Sequence, residues 1–78
     1  MKLPARNPLN ANKLRHSKWT AAVPLDKEKH FMVIKVVEPE SPGAAVTHVQ
    51  LQAVHSQRVQ ILPWRALQDA SVWRQGWV

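Results

Sequence analysis

The chain has no cysteine and only two glycines among its 78 residues. Without cysteine it can form neither a disulfide nor a cysteine-rich zinc site, the usual supports of very small domains. Two glycines are also too few for a loop that cradles phosphate through its backbone. Stability must therefore come from side-chain burial, although a domain of this size buries only about 60% of its unfolded surface.

Long apolar runs are also missing. No segment approaches the roughly 20 apolar residues of a membrane helix, and Pro4, Asn7 and Pro8 interrupt the start of the chain, where a signal peptide would need an apolar stretch. The absence of cysteine agrees with a reducing compartment. We expect a cytoplasmic protein with no membrane partner.

What the chain does contain is tryptophan, with four tryptophans beside one phenylalanine. Trp19 stands early, whereas Trp64, Trp73 and Trp77 all fall in the C-terminal segment 62–78. Each aromatic side chain can bury roughly 150–250 Å². These rings are expected to form much of the core, with Trp77 the most exposed of them.

Alternating apolar residues predict four strands. The second is the most apolar and rich in β-branched residues, so it should be the central strand, buried on both faces. In the third strand Val49, Leu51 and Ala53 should face the core, and in the fourth Val59 and Ile61 should do so. The four predicted strands cover residues 17–23, 30–37, 46–55 and 58–62.

The hairpin between the third and fourth strands has two possible loops. A two-residue loop at Ser56 and Gln57 would pair Ala53 with Gln60, which mixes polar and apolar side chains on each face. A three-residue loop pairs Ala53 with Ile61 and keeps the apolar set together. The longer loop is the preferred prediction, although it lacks the usual glycine.

Pro63 ends the fourth strand, and the following residues, through Asp69, are predicted to form a short helical turn with Trp64 and Leu67 on one face. Residues 72–78 form a fifth short strand or a tail. The predicted fold is mainly β, a small antiparallel meander of four to five strands curled into an SH3-like barrel. An open four-stranded sheet covered on one face by the tryptophan-rich tail is the alternative. The domain should span residues 14–78, after a basic flexible arm at residues 1–13.

Charge is concentrated at the start of the chain. The net charge is +6, and the first 18 residues hold five cations and no acid. A basic arm interrupted by proline and asparagine is typical of polyanion contact, and the other interpretation is that it only keeps the protein soluble. The five cations are Lys2, Arg6, Lys13, Arg15 and Lys18.

The order of several short motifs resembles a family of short tryptophan-rich bacterial proteins of unknown function. The resemblance covers roughly residues 14–78 and implies a bacterial source and a small intracellular domain, with no catalytic residue, cofactor or ligand. The matching segments are Lys18-Trp19-Thr20-Ala21, Lys29-His30-Phe31, Leu51-Gln52-Ala53-Val54 and Leu62-Pro63-Trp64-Arg65-Ala66-Leu67-Gln68-Asp69, followed by Trp73 and Gly76-Trp77.

Catalytic and metal chemistry find little support. His48 and His55 lie an odd number of residues apart on one predicted strand and should point to opposite faces, and no cysteine completes a ligand set. His30 is the histidine to examine for a buried hydrogen bond. Asp69 should pair with Arg65 or cap the following turn. We expect no enzyme activity, no metal and no cofactor.

Interleaved aromatic and basic residues favour binding. Small β domains hold single-stranded nucleic acid by stacking bases on exposed rings and contacting phosphates with lysine or arginine. The leading hypothesis is binding of nucleic acid, RNA in preference to DNA. The alternative is a protein-interaction module that docks a partner, such as an acidic protein surface, through exposed C-terminal tryptophans, with tryptophan and arginine as the hot spot. The predicted phosphate contacts are Lys2, Arg6, Lys13, Arg15, Lys18, Arg58, Arg65 and Arg74, and the predicted stacking or docking rings are Trp73 and Trp77.

Overall fold

The fold is one antiparallel sheet of five strands in the order β4-β3-β2-β1-β5. The computed structural model describes residue 9 and residues 13–78. The first four strands follow each other as a meander, and the fifth returns to pair with the first, so the mainly β prediction is confirmed. The strands are β1 Lys18–Leu25, β2 Glu28–Val36, β3 His48–Ala53, β4 Val59–Pro63 and β5 Trp73–Gln75, with a 3₁₀ helix at Trp64–Gln68.

The sheet does not close. β4 and β5 stand at its two opposite edges, and the molecule extends 39 × 37 × 16 Å, which is the shape of a plate. Closing a barrel requires tilted edge strands long enough to pair along their length, whereas β5 has three residues. The predicted SH3-like barrel is therefore wrong, while the predicted meander and helical turn are confirmed.

One face of the sheet, the core face, carries the apolar interior. Trp19 stands opposite Phe31, and β3 pairs Ala53 with Phe31 and Leu51 with Val33. These five side chains are at most 4% exposed. The crossing from β4 to β5 supplies further cover, because the 3₁₀ helix places Leu67 in the core. The other buried apolar residues are Leu14, Val49 and Trp73.

The central position predicted for the second strand is confirmed, but its burial is one-sided. β2 lies between β1 and β3, with Phe31 and Val33 buried and Met32 only half-buried. The register to β3 shifts between Val33 and Lys35, so one extra residue in β2 forms a bulge. The second face of the sheet, called the open face here, has no layer of secondary structure over it in the described residues.

The face of β4 that packs on the core is the opposite of the one that the sequence predicted. Leu62 pairs with Val49 and packs against the core. Val59 and Ile61 are 44% and 63% exposed, because their partners in β3 belong to the open face. The predicted inward position of Val59 and Ile61 is wrong.

The hairpin loop explains this difference. Neither predicted loop is observed, because the loop holds the four residues 54–57. Ala53 donates its N–H to the carbonyl of Arg58 at 2.9 Å, and Gln57 donates to the carbonyl of Ala53 at 2.8 Å. Gln57 adopts the left-handed conformation, with φ 62°. A non-glycine residue in that conformation gives no warning in the sequence.

The β1–β2 hairpin leaves two large apolar side chains of β1 exposed. Asp26 and Lys27 both have positive φ, 53° and 64°, as in the tight turns that suit strand twist. The register of β1 against β2 shifts between Thr20 and Leu25, and within that stretch Ala22 donates its N–H to the carbonyl of Val72 at 2.8 Å. Val23 and Leu25 remain 75% and 72% exposed.

Candidate nucleic-acid interface

Trp77 lies on the open face with its ring held in place. Its Nε1 donates to the carbonyl of Phe31 at 2.9 Å, and its ring centre is 6.0 Å from that of His30, at 42°. The Lys18 ammonium is 4.8 Å from the ring centre. Trp77 is nevertheless 43% exposed, the most exposed of the four tryptophans. It is a fixed aromatic surface beside a cation.

The residues before and after Trp77 explain how the ring reaches this face. Gly76 has φ 81°, which only glycine adopts without cost, and its N–H donates to the carbonyl of Lys18 at 2.8 Å. The hydroxyl of Thr20 donates to the carbonyl of Gly76 at 2.7 Å and accepts the N–H of Val78 at 3.1 Å. Thr20 is buried and anchors the chain on both sides of the tryptophan.

Arg74 belongs to the same face. It pairs with Thr20 across the β1–β5 ladder, and Thr20 pairs with His30 across the β1–β2 ladder, so these side chains share one side of the sheet. Arg74 and Lys29 line a hollow of about 380 Å³ with Thr20 and Val78. Positively charged side chains therefore flank the C-terminal residues that are hydrogen-bonded to Thr20.

These cations have no acidic partner in the described part of the chain. The salt bridge found among residues 9 and 13–78 joins Arg58 to Glu28. Lys18, Lys29 and Arg74 are thus able to contact an added anion without first breaking an ion pair. A negative group bound there would offset part of the +6 net charge.

Arg58 occupies a different environment from the one predicted. Its Nε and Nη2 donate to both oxygens of the Glu28 carboxylate, with Nη2 2.7 Å from Oε1, and Ser56 donates to the same carboxylate. The hydrogen bonds from Arg58 and then Ser56 lower the pKa of Glu28. Arg58 is engaged in this ion pair and is not placed beside Trp77.

The remaining predicted cations are scattered. The Arg65 guanidinium lies 5.1 Å from the centre of the Trp64 ring, whose Nε1 donates to the carbonyl of Val46 at 2.9 Å. Lys13 and Arg15 are exposed before β1. The predicted contacts Lys2 and Arg6 lie outside the described residues, as does most of the predicted arm.

Trp73 is a core residue. It is 8% exposed, and its ring meets Phe31 edge to face with the centres 5.0 Å apart, at 89°. A buried ring of this kind offers no surface to a base, so the structure leaves Trp77 as the aromatic group of the candidate interface.

The two other residues singled out from the sequence have local structural roles. The Asp69 carboxylate accepts the N–H of Ser71 at 3.0 Å and its hydroxyl at 2.6 Å, which lowers the pKa of Asp69. Its predicted capping role is confirmed. His30 lies 3.2 Å from the carbonyl of Val78 through Nε2, in an exposed rather than buried hydrogen bond.

The described residues contain no group of three or more histidine, cysteine or carboxylate side chains placed to hold a metal ion. Within the same residues, no helix has the length and apolar character needed to cross a membrane.

Sequence reasoning did not single out two residues of the interface. Thr20 lies between Trp19 and Ala21, and this alternation is the signal that the sequence offers for it. Lys29 lies just before the predicted second strand, residues 30–37, whereas in the structure it belongs to β2. Lys29 and Arg74 reach one hollow because β2 and β5 pair with the two sides of β1, and no local pattern encodes the pairing of β5 with β1.

A model of a protein family described as Tryptophan-rich protein (DUF2389) matches residues 17–78. The chain belongs to this family. The resemblance seen in the sequence is thereby confirmed, and the matched region contains all five strands. No curated protein and no solved structure matches the chain.

Proposed function

We propose that this DUF2389 protein binds single-stranded RNA without catalysing a reaction, and that Trp77 stacks on a base. The observation that carries the proposal is the placement of Trp77 on one sheet face together with Lys18 and Arg74. Aromatic rings and neighbouring cations on a sheet are the elements that bind single strands.

The fixed position of the ring supports stacking. The bond from Nε1 to the Phe31 carbonyl holds the indole before any ligand arrives, so little side-chain freedom is lost on binding. A stacked base contributes about 1–3 kcal/mol by alanine substitution. Trp77→Ala should therefore weaken binding by about 5-fold to about 140-fold.

The charge around the ring supports phosphate contact. Lys18 lies against the ring, and Lys29 and Arg74 line the neighbouring hollow. Each neutralised phosphate of a single strand adds about −0.7 to the slope of log affinity against log salt. Three contacts predict a slope of roughly −2. Any contribution from Lys2, Arg6 and the rest of the basic arm would steepen it.

The test is a titration of fluorescently labelled single-stranded RNA with the full-length protein, read as anisotropy at several salt concentrations. The proposal expects saturable binding that weakens with salt, a loss of affinity in Trp77→Ala and a shallower salt slope in Arg74→Gln. Single-stranded DNA of the same sequence shows whether the ribose hydroxyl contributes.

Arg65→Gln is the matched control. It removes the same charge from a position where arginine covers Trp64, so it should change affinity less than Arg74→Gln. Equal losses would mean that net charge alone drives binding. If circular dichroism shows that the proteins are folded but the wild type does not bind the RNA at low salt, the proposal is refuted.

The second candidate function is protein interaction, in which a partner docks mainly on the exposed apolar ring of Trp77. It is favoured by the exposed ring of Trp77 beside Lys18, since tryptophan and charged neighbours often dominate protein interfaces. Salt distinguishes the two, because apolar docking persists at a salt concentration that screens phosphate contact.

A further inference from the structure

An apolar cleft lies at the hairpin end of the core face, away from Trp77. It has a volume of about 310 Å³, and its apolar lining includes Val23, Leu25, Phe31, Val72 and Trp73. Val23, Leu25 and Val72 are 75%, 72% and 47% exposed. Large apolar side chains grouped around a cleft mark a surface that associates with something else.

The charges around this cleft are balanced, unlike those of the chain as a whole. Glu28 and Arg58 form an ion pair at its edge, and the adjoining turn holds Asp26 and Lys27. The cleft side of this end therefore has no net charge, because the neighbouring Lys29 lines the hollow beside Arg74 instead. It therefore neither repels a second copy nor selects an acidic or a basic partner.

We propose that two copies of this chain associate through this end of the core face, around a two-fold axis. Val23 and Leu25 of each copy insert into the cleft of the other. Both the exposed side chains and the cleft belong to one surface, which is the requirement for a two-fold interface. The adjoining turn holds one acid, Asp26, and one base, Lys27, so the proposed symmetry allows an ion pair between the two copies.

In the proposed dimer, side chains of one copy fill the cleft of the other, and no strand is added to the sheet. Pro24 lies between Val23 and Leu25 in β1 and has no N–H to donate, which disfavours pairing of two strand edges. The cleft is at the lower limit of ligand pockets, roughly 300–1,000 Å³, and suits one or two aliphatic side chains.

The hairpin end is a small part of the molecule. Stable protein interfaces bury about 800 Å² on each partner, against a total accessible surface of 5863 Å² here. We therefore expect a weak dimer that dissociates on dilution. This inference does not depend on nucleic-acid binding, because the cleft and Trp77 lie on opposite faces.

The test is sedimentation equilibrium of the full-length protein from low micromolar to near-millimolar concentration. The mass should rise from that of the 8.9 kDa chain toward twice that value. Leu25→Asp should weaken the association at least tenfold, because a carboxylate would be buried in an apolar cleft. Val23→Asp should act in the same way, and both positions are exposed enough to leave the monomer folded.

Ile61→Asp is the control for added charge on an exposed apolar residue, since Ile61 is 63% exposed on the open face. It should leave the dimer intact. A protein that stays monomeric at every concentration would overturn the proposal, as would a dimer that Ile61→Asp abolishes and Leu25→Asp does not. RNA titrations of Leu25→Asp at low protein concentration should match wild type, which keeps this test separate from the proposed function.

Discussion

Trp73 and Trp77 are four residues apart and have opposite environments. Trp73 belongs to β5, pairs with Ala21 of β1 and packs in the core against Phe31. Trp77 follows Gly76, which turns the chain onto the open face and leaves the second ring 43% exposed. Residue type does not separate the two, since both are tryptophans that stand next to a valine. The position in the strand register and one glycine conformation decide which ring is structural and which is available to a ligand.

The most direct way to break this comparison is to remove each ring. Trp73→Ala should cost about 3–5 kcal/mol in the free energy of unfolding, because it empties a filled core position. Trp77→Ala should cost about 1 kcal/mol, since its ring is partly in solvent. Urea unfolding followed by circular dichroism measures both. Similar losses in the two variants would contradict the assignment of Trp77 to the open face.

The same contrast can be sharpened within β4, where neighbouring residues face opposite ways. Leu62→Ala should destabilise the protein by about 2 kcal/mol, since Leu62 is only partly buried against the core. Ile61→Ala should change stability by no more than about 0.5 kcal/mol. The same unfolding assay reads both variants. The reverse order would restore the register predicted from the sequence and refute the four-residue loop.

Acid offers a third test, at the end of the core face. The pKa of Glu28 is lowered by hydrogen bonds from Arg58 and Ser56. The ion pair between Glu28 and Arg58 therefore contributes its full stabilisation at any pH above the pKa of glutamate in the unfolded chain, about 4.3. That contribution is lost as the pH falls below 4.3 and through the lower folded value. Glu28→Gln should flatten this part of the stability curve. The variant should still lose some stability in acid, because the pKa of Asp69 is also lowered in the folded protein.

The smallest expected effect lies in the β3–β4 loop that sets the faces of β4. Gln57 has φ 62°, a conformation that costs a non-glycine residue about 1–2 kcal/mol. Gln57→Gly should raise the free energy of unfolding by about 0.5–1 kcal/mol, after the greater freedom of glycine in the unfolded chain is subtracted. Destabilisation by glycine would show that the loop differs from the one described.

Strand positions were predictable because alternation reports burial directly. Trp19, Leu51 and Ala53 lie on the face that their period of two indicates, and Pro63 ends β4 before the 3₁₀ helix as predicted. The family was also recognisable from the order of short motifs. These signals are local, and each element satisfies them by itself.

Register and closure were not predictable. The loop after Ala53 has no glycine to mark its left-handed residue, so parity arguments compared loops of the wrong length. Whether β4 and β5 would meet depends on the lengths and tilt of edge strands rather than on any alternation. The candidate site was half predictable for the same reason. The exposure of Trp77 followed from its place near the C-terminus, whereas the closeness of Lys29 and Arg74 depends on the pairing of β5 with β1.

Phe31 contacts both sides of the sheet at once. Its ring packs against Trp73 on one face, and its carbonyl accepts the indole N–H of Trp77 from the other. It is also the only phenylalanine in the sequence. Protein grown with phenylalanine labelled at the carbonyl carbon will therefore show a single NMR resonance whose chemical shift records whether the Trp77 indole stays in place when a ligand is added.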